Sequence, residues 1–218
     1  MKKEIYFEKF NQLNINIDTK IVKYLSDDIL LTLFNCIDKF YKTFPITEIG
    51  IQDIRFFTKE ELKHEVYTDA FCRWDDTATH VEICLNPIHF ILTKKKMCKA
   101  QSKKLNIEFS KGIESVIYHE LGHLLEMDIC HCLYVNNEPY EIAKKVRENN
   151  ETYIIVQCIL EKLFPYNKNY IYDNISWYGT VNPSECFAEL IAIIMVEKDL
   201  RISAQKLKDY LIESGYMI

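Results

Sequence analysis

The chain has 218 residues, a formal net charge of −5 and a sequence pI of about 5.7. This length suits one medium-sized domain with a substantial core. With 48% hydrophobic and 27% charged residues, the composition is that of a folded protein rather than a disordered one. The acidic balance argues against a nucleic-acid binder, because neutralising phosphates needs a clustered positive surface. We therefore expect no nucleic-acid partner.

The sequence also bears on the compartment. No apolar run approaches the ~20 residues that a membrane helix needs, so we expect no membrane partner. The N-terminal stretch MKKEIYFEKFNQLN lacks the apolar segment of a secretory signal. The eight cysteines are scattered along the chain, which favours reduced thiols over a disulfide framework. These features predict a cytoplasmic protein, although they do not exclude export by another route.

The first clear element is an amphipathic helix over residues 26–44. Ser26 is a plausible N-cap, acidic residues follow in the first turn, and apolar residues recur at helical spacing. Residues 49–57 then alternate as a strand does. Thr58 and Glu61, which follow, have the spacing of a capping box and predict the start of a short helix.

Residues 79–86, THVEICLN, predict a second strand. Their apolar members, Val81, Ile83 and Leu85, share one face, while the other face carries His80, Glu82 and Cys84. Such alternation is typical of a half-solvated strand and suits the edge of a sheet.

Helical patterns dominate the second half of the chain. They cover residues 112–128, 149–163 and 183–198. Strands early and helices late predict an α+β fold with a small mixed sheet, not an alternating parallel one. We expect a single domain, with an N-terminal α/β part over about residues 1–108 and a helical catalytic part over about 109–218.

The segment HELGH, residues 119–123, stands inside the first of these helices. His119 and His123 are one turn apart, so both imidazoles project from one face and can reach one metal ion. Glu120 lies beside that face, where a carboxylate can accept the proton of a water acidified by zinc. With six histidines in the chain, a chance match to this pattern has a likelihood on the order of one in a hundred.

A third ligand would strengthen the prediction of a zinc site. The metzincin type is excluded, because Ile129 occupies the position of its third histidine and Glu126 that of its glycine. Glu141 lies near the distance found in the thermolysin type, but nothing around it offers a supporting partner at helical spacing. Glu185 is the better candidate.

Glu185 lies near the start of the helix predicted over residues 183–198. Asn182 can cap this helix and Pro183 suits its first position. Glu189 follows one turn later on the same face, on a largely apolar stretch where a carboxylate needs a buried partner. We therefore expect Glu185 to bind the metal and Glu189 to accept a hydrogen bond from a ligand histidine. The alternative is that Glu185 only completes the helix cap.

HELGH together with ISWYGTVNPSECFAEL, residues 175–190, resembles the zinc-peptidase family of anthrax lethal factor and the small clostridial Pro-Pro endopeptidases. The shared pattern is Y-G-x-x-N-x-x-E-x-F-A-E. Its matching positions here are Tyr178, Gly179, Asn182, Glu185, Phe187, Ala188 and Glu189. The firm match covers about residues 112–197, and the strand at 79–85 is a candidate edge for aligning an extended substrate.

The resemblance implies a gluzincin-like site with one Zn2+ per chain, bound by His119, His123 and Glu185. It implies that Glu120 is the general base and acid, and that Tyr178 donates a hydrogen bond to the oxyanion. The expected function is a zinc metalloendopeptidase acting on a protein or peptide substrate. The alternative is a non-catalytic, peptidase-like protein that binds a peptide or a partner protein in its groove. Oligomeric state is left open by the sequence.

Overall fold

The structure is a computed structural model that describes residues 3–45, 50–65, 68–75, 80–91, 112–133 and 151–218, with the side chains of 151 and 152 excepted. Within these ranges the fold is mixed α and β, mostly helical, with a small sheet of four strands. The predicted fold class, an α+β arrangement with a small mixed sheet, is confirmed to that extent.

The helices of the described residues are α1 Ile5–Gln12, α2 Thr19–Tyr24, α3 Asp27–Thr43, α4 Glu61–His64, α5 Pro87–Ile91, α6 Ile113–Leu133, α7 Glu151–Leu163, α8 Lys168–Asn174, α9 Pro183–Val196 and α10 Ile202–Glu213. The helices predicted from sequence are present as α3, α4, α6, α7 and α9, and the other five helices of the described residues were not predicted. A short 3-10 turn covers Tyr178–Thr180. The helix predicted over 112–128 continues to Leu133, because no glycine or proline ends the pattern there.

The local signals at two helix starts are confirmed. The Ser26 Oγ accepts the backbone N–H of Ile29 at 3.4 Å at the start of α3. Before α4, Thr58 and Glu61 form the reciprocal capping box: the Thr58 N–H donates to the Glu61 carboxylate at 2.6 Å and the Glu61 N–H to the Thr58 hydroxyl at 3.2 Å. These contacts span three residues, which is why sequence spacing predicts them.

The strands are β1 Asn16–Ile17, β2 Asp53–Phe56, β3 Ala70–Trp74 and β4 Val81–Leu85. They lie in the order β1-β2-β4-β3, with β1, β2 and β4 parallel and β3 antiparallel to β4.

The edge position expected for residues 79–86 is wrong. Strand β4 lies between β2 and β3, and all five of its residues are buried. Its polar face is covered by protein rather than water, because the Glu82 carboxylate accepts hydrogen bonds from Arg55 and Arg73. The alternation in sequence therefore reflects an ionic layer against β4 and not a solvated surface.

Among the strands that the structure describes, the edge beside β4 is β3 instead. Asp69 accepts the Asn86 N–H at 2.9 Å at one end of this strand. Asp75 donates its N–H to His80 at 2.9 Å at the other end. Because hydrogen-bonded pairs alternate along an antiparallel ladder, the backbone groups of every second residue between them point away from the sheet. These outward residues are Ala70, Cys72 and Trp74.

A connected hydrophobic core includes buried residues from the early and the late parts of the chain, such as Leu30, Ile54 and Leu190. The helices α6 and α9 pack against each other, and α6 also packs against α3 and β3. This places the helix that carries HELGH between the sheet and the C-terminal helices. The predicted division near residue 108 lies outside the described residues, and the single domain stays a prediction.

Candidate metal centre

The site forms where α6 and α9 approach each other most closely, at Gly122 and Ala188. A side-chain carbon added to Gly122 would lie 2.7 Å from the Ala188 Cα, too close for any residue with a side chain. The glycine inside HELGH therefore permits the helix contact, at the modest cost that glycine carries in a helix. The contact brings Glu185, in the first turn of α9, beside the two histidines.

His119, His123 and Glu185 come together as a possible metal-binding triad. The Glu185 Oε2 lies 3.0 Å from the His119 Nε2 and 3.6 Å from the His123 Nε2. The ligand atoms of all three side chains lie within 4.8 Å of one another. His119 is buried and the other two are partly buried. The three residues proposed from sequence as ligands therefore converge on one point.

Glu185 reaches this position because its helix starts where predicted. The Asn182 Oδ1 accepts the Glu185 backbone N–H at 2.8 Å, and Pro183 occupies the first position of α9. The cap is thus made by Asn182, and the Glu185 carboxylate is directed at the imidazoles. The alternative in which Glu185 only completes the cap is not the arrangement found.

The other nitrogen of each imidazole is held by the protein. The His119 Nδ1 lies 2.9 Å from the Glu189 Oε1, as expected for Glu189. The His123 Nδ1 lies 3.1 Å from the Ser184 Oγ. A carboxylate only accepts hydrogen bonds, so the His119 Nδ1 carries a proton. With a metal ion bound, the His119 Nε2 would present its lone pair to that ion.

The pKa values reflect a site that attracts positive charge. Burial would lower the pKa of His119, but Glu185 and Glu189 outweigh burial and hold that pKa well above its ordinary value. Burial likewise opposes protonation of His123, yet Glu126 and Glu185 raise its pKa to about 9. Burial would raise the pKa of Glu185, but the two imidazoles lower it to about 2. A bound cation would replace protons at such a site.

The donor set fits a zinc ion. The buried Glu185 Oε2 faces both Nε2 atoms, and no other described side chain pairs with it. Ligand atoms ~2 Å from a tetrahedral zinc lie roughly 3.3 Å apart. The distances of 3.0 and 3.6 Å from this oxygen to the two nitrogens bracket that value. Two imidazoles and a carboxylate also match the ligands of zinc sites that keep a fourth position open.

Glu120 is buried beside the triad, with 6% of its surface exposed. Its Oε2 accepts the outward backbone N–H of Cys72, in the edge strand β3, at 2.7 Å. Burial raises the pKa of the Glu120 carboxyl above its ordinary value, against the opposing effect of the two histidines. Glu120 therefore has a higher proton affinity than an exposed glutamate, as general acid–base chemistry requires.

Tyr178 lies in the 3-10 turn that precedes α9. This turn packs closely on α9, because a side-chain carbon at Gly179 would lie 3.3 Å from the Cys186 Cα. The Tyr178 ring centroid is 5.6 Å from that of His119. Burial raises the pKa of the Tyr178 phenol above its ordinary value, with nearby glutamates adding to the effect. The phenol is thus a neutral donor beside the triad.

A cleft of about 570 Å³ opens over the site. One wall is formed by α4 and the residues after it, a second by the edge strand β3, and a third by the triad with Glu120 and Tyr178. The lining residues that do not belong to the triad or to β3 are Glu60, Glu61, His64, Glu65, Thr68, Glu120 and Tyr178. Every residue predicted to bind metal or to act in catalysis therefore lines one open cavity.

Three residues that contact the site were not predicted from the sequence. Glu126 is one turn after His123 on α6, a spacing that does indicate a shared face. Ser184 directly precedes Glu185 and carries no signal of its own in the sequence. Cys72 carries no signal, because its contact with Glu120 uses the backbone. The rejected candidate Glu141 lies outside the described residues.

Comparison with protein-family models and with curated proteins identifies no relative of this chain. Membership of the lethal factor-like family therefore stays a prediction from the residues quoted for it. None of the seven cysteines among the described residues forms a disulfide. Among the helices of those ranges, none is long and apolar enough to cross a membrane.

Proposed function

We propose that this chain is a zinc-dependent endopeptidase with a gluzincin-like site of the lethal factor type. The observation that carries the proposal is the convergence of two imidazole nitrogens and the Glu185 Oε2 in an open cleft. Glu120 and Tyr178 line the same cleft. The proposed reaction is hydrolysis of a peptide bond in a protein or peptide substrate.

Zinc bound by His119, His123 and Glu185 would lower the pKa of a water molecule and polarise the scissile carbonyl. Glu120 acts as the general base that accepts the proton of this water and then, as general acid, passes it to the leaving amine. Its buried position supports both roles, because the raised pKa lets the carboxyl hold a proton between the two steps.

Tyr178 donates its phenolic hydrogen to the oxygen on which negative charge develops. The raised pKa keeps this group protonated over the whole neutral range, so it is present as a donor. A fixed donor in a site that excludes water stabilises developing charge more strongly than water does. The packing of Gly179 on α9 fixes the turn that carries this ring.

The edge strand β3 is the proposed alignment surface for the substrate, in place of the strand at 79–85 suggested from sequence. Its outward backbone groups border the cleft, and an extended peptide can add to such an edge by main-chain hydrogen bonds. The Cys72 N–H is already bonded to Glu120. A peptide can therefore pair with Ala70 and Trp74 on either side of the general base.

The decisive experiment combines metal analysis with a peptide-library digest. Protein purified without chelator is expected to hold one zinc per chain. Wild-type protein is expected to cleave, while Glu120→Gln and a chelator-treated sample are not; Glu120→Gln keeps its zinc. Binding of peptides without cleavage in all three samples would instead identify a non-catalytic peptide-binding protein. Absence of zinc from the wild-type protein would refute the proposal.

A further inference from the structure

We propose that Ser184 and Glu126 are positioning residues for the metal centre, holding His123 and Glu185 together through a hydroxyl relay. This inference rests on the proposed zinc site and concerns residues that neither the HELGH motif nor the family pattern includes. In this inference the His123 Nδ1 is held by the Ser184 hydroxyl, whereas the His119 Nδ1 contacts the Glu189 carboxylate directly.

The direction of the hydrogen bonds follows from the groups involved. The Ser184 Oγ makes a very short hydrogen bond to the Glu126 Oε2 and lies 3.1 Å from the His123 Nδ1. A carboxylate has no hydrogen to give, so the serine hydroxyl donates to Glu126. The serine oxygen then accepts from the His123 Nδ1–H. With zinc bound, this arrangement would leave the His123 Nε2 lone pair for the ion.

The burial of Glu126 is not explained by packing alone. Only 2% of its surface is exposed, and its second oxygen, Oε1, makes no hydrogen bond. Leaving such an atom unpaired costs about 1–3 kcal/mol or more for a charged group. The Oε2 also lies 3.5 Å from the His123 Nδ1, so the charge of Glu126 acts on His123 both directly and through the serine.

The relay also joins the two helices that supply the ligands. Glu126 follows His123 by one turn on α6, and Ser184 directly precedes Glu185 in the first turn of α9. The bond between Ser184 and Glu126 therefore ties the α6 ligand to the α9 ligand at the site itself. Its loss would leave both ligands less well oriented while the packing at Gly122 still holds the helices together.

The test is the zinc affinity of purified variants, measured by competition with a chromophoric chelator. Ser184→Ala and Glu126→Gln are each expected to bind zinc about 10–100-fold more weakly than wild type. The double variant is expected to lose less than the product of the two effects, because both changes break one relay. Ser184→Thr keeps the hydroxyl and is expected to restore affinity close to wild type.

Ser203→Ala is the matched control. Like the partly buried Ser184, Ser203 makes a hydroxyl hydrogen bond, to Tyr170 at 3.0 Å, and it is fully buried. It lies in α10 and does not contact the triad. Its zinc affinity is expected to be that of wild type. Thermal unfolding of each metal-free variant checks that it is folded.

Three outcomes would overturn the inference. Unchanged zinc affinity in folded Ser184→Ala removes the role of the serine, even if Glu126→Gln does not fold. Equal losses of zinc affinity in Ser184→Ala and Ser203→Ala would mean that removing a hydroxyl weakens zinc binding only through the stability of the fold. Ser184 would then have no specific role at the metal centre. A wild-type protein without zinc affinity would refute the metal centre and this inference together. The first two outcomes, in contrast, refute only the role of the serine, because the wild-type protein still binds zinc.

Discussion

Two groups of carboxylates, one on the sheet and α4 and one on the helices of the triad, differ in how their charge is balanced. On the sheet side, Glu61 and Glu82 are paired with Arg55 and Arg73. On the helix side, four carboxylates surround two histidines, and none of them has a lysine or arginine partner within the part of the chain that the structure describes. These four are Glu120, Glu126, Glu185 and Glu189.

The contrast shows which charges the chain neutralises by itself. The Arg55 guanidinium reaches Glu82 at 2.6 Å and Glu61 at 2.8 Å, so the sheet-side group is complete as folded. The helix-side group relies on imidazoles, which are neutral at pH 7 unless neighbours hold a proton on them. Buried carboxylates need a counter-charge, and here the raised histidine pKa values mean that protons on the imidazoles supply it. A divalent cation at the triad would replace those protons.

The largest expected effect comes from breaking the sheet-side group with Arg55→Met. Removing Arg55 leaves the two largely buried carboxylates of Glu61 and Glu82 with only Arg73, whose side chain is 53% exposed, as their partner. The free energy of unfolding should therefore fall by about 3 kcal/mol. Zinc content should stay at the wild-type level, since the triad is not touched. Chemical denaturation and metal analysis measure the two results.

Lys42→Met is the control for Arg55→Met. Lys42 is paired with Asp38 at 2.6 Å on α3, but 73% of its side chain is exposed. Such a surface pair contributes at most about 1 kcal/mol. If Arg55→Met costs no more than Lys42→Met, the sheet-side arginines do not balance buried charge as inferred.

The next effect is stabilisation by zinc. At a free zinc concentration 100-fold above the dissociation constant, binding to the folded state adds about 2.7 kcal/mol to the unfolding free energy. For a chain of this size that raises the Tm by roughly 5–10 °C. His123→Ala should abolish the shift and Arg55→Met should retain it. An equal zinc shift in His123→Ala would mean that the helix-side group is not where the cation binds.

The pH dependence of the sheet-side group should be smaller and of known sign. The Arg55 guanidinium lowers the pKa of Glu61 from 4.5 to about 2. The stabilisation is therefore complete above pH ~4.5 and is lost as the pH falls towards 2. Glu61→Gln should be less stable than wild type by about 2 kcal/mol at pH 6, and this difference should shrink on acidification.

Glu60→Gln is the matched control for the pH series. Glu60 is the neighbouring residue and pairs with Lys63 at 2.9 Å, but both side chains are exposed. Its substitution should change stability little at any pH. A Glu61→Gln difference that stays constant between pH 6 and 3 would argue against ionic stabilisation of the sheet side by this carboxylate.

The smallest expected effect concerns the hydrogen bond that joins the two sides. The Cys72 N–H of β3 donates to the general base Glu120 at 2.7 Å. Cys72→Pro removes this donor at an edge position that tolerates proline, and Cys72→Ala removes only the thiol. Unfolding of the proline variant should cost about 1 kcal/mol less than that of the alanine variant. Equal stabilities would show that the bond contributes nothing.

The helical half of the protein follows the sequence patterns more closely than the sheet does. Alternation over residues 79–86 distinguishes two faces of a strand but does not say what covers each face. The covering side chains, Arg55 and Arg73, come from two other strands. No strand was predicted at residues 70–74, and the edge position of β3 depends on which strands pair with it, which the sequence does not show.

The sequence by itself determined those parts of the site that depend on contacts within a turn or two of helix. The four-residue spacing places His119 and His123 on one face, and Asn182 with Pro183 starts α9. Only the tertiary structure decided how these pieces meet. The Glu120 contact with Cys72 spans 48 positions and the Glu126 contact with Ser184 spans 58. Such contacts depend on how closely two elements pack, and for α6 and α9 the missing side chain of Gly122 permits the close approach.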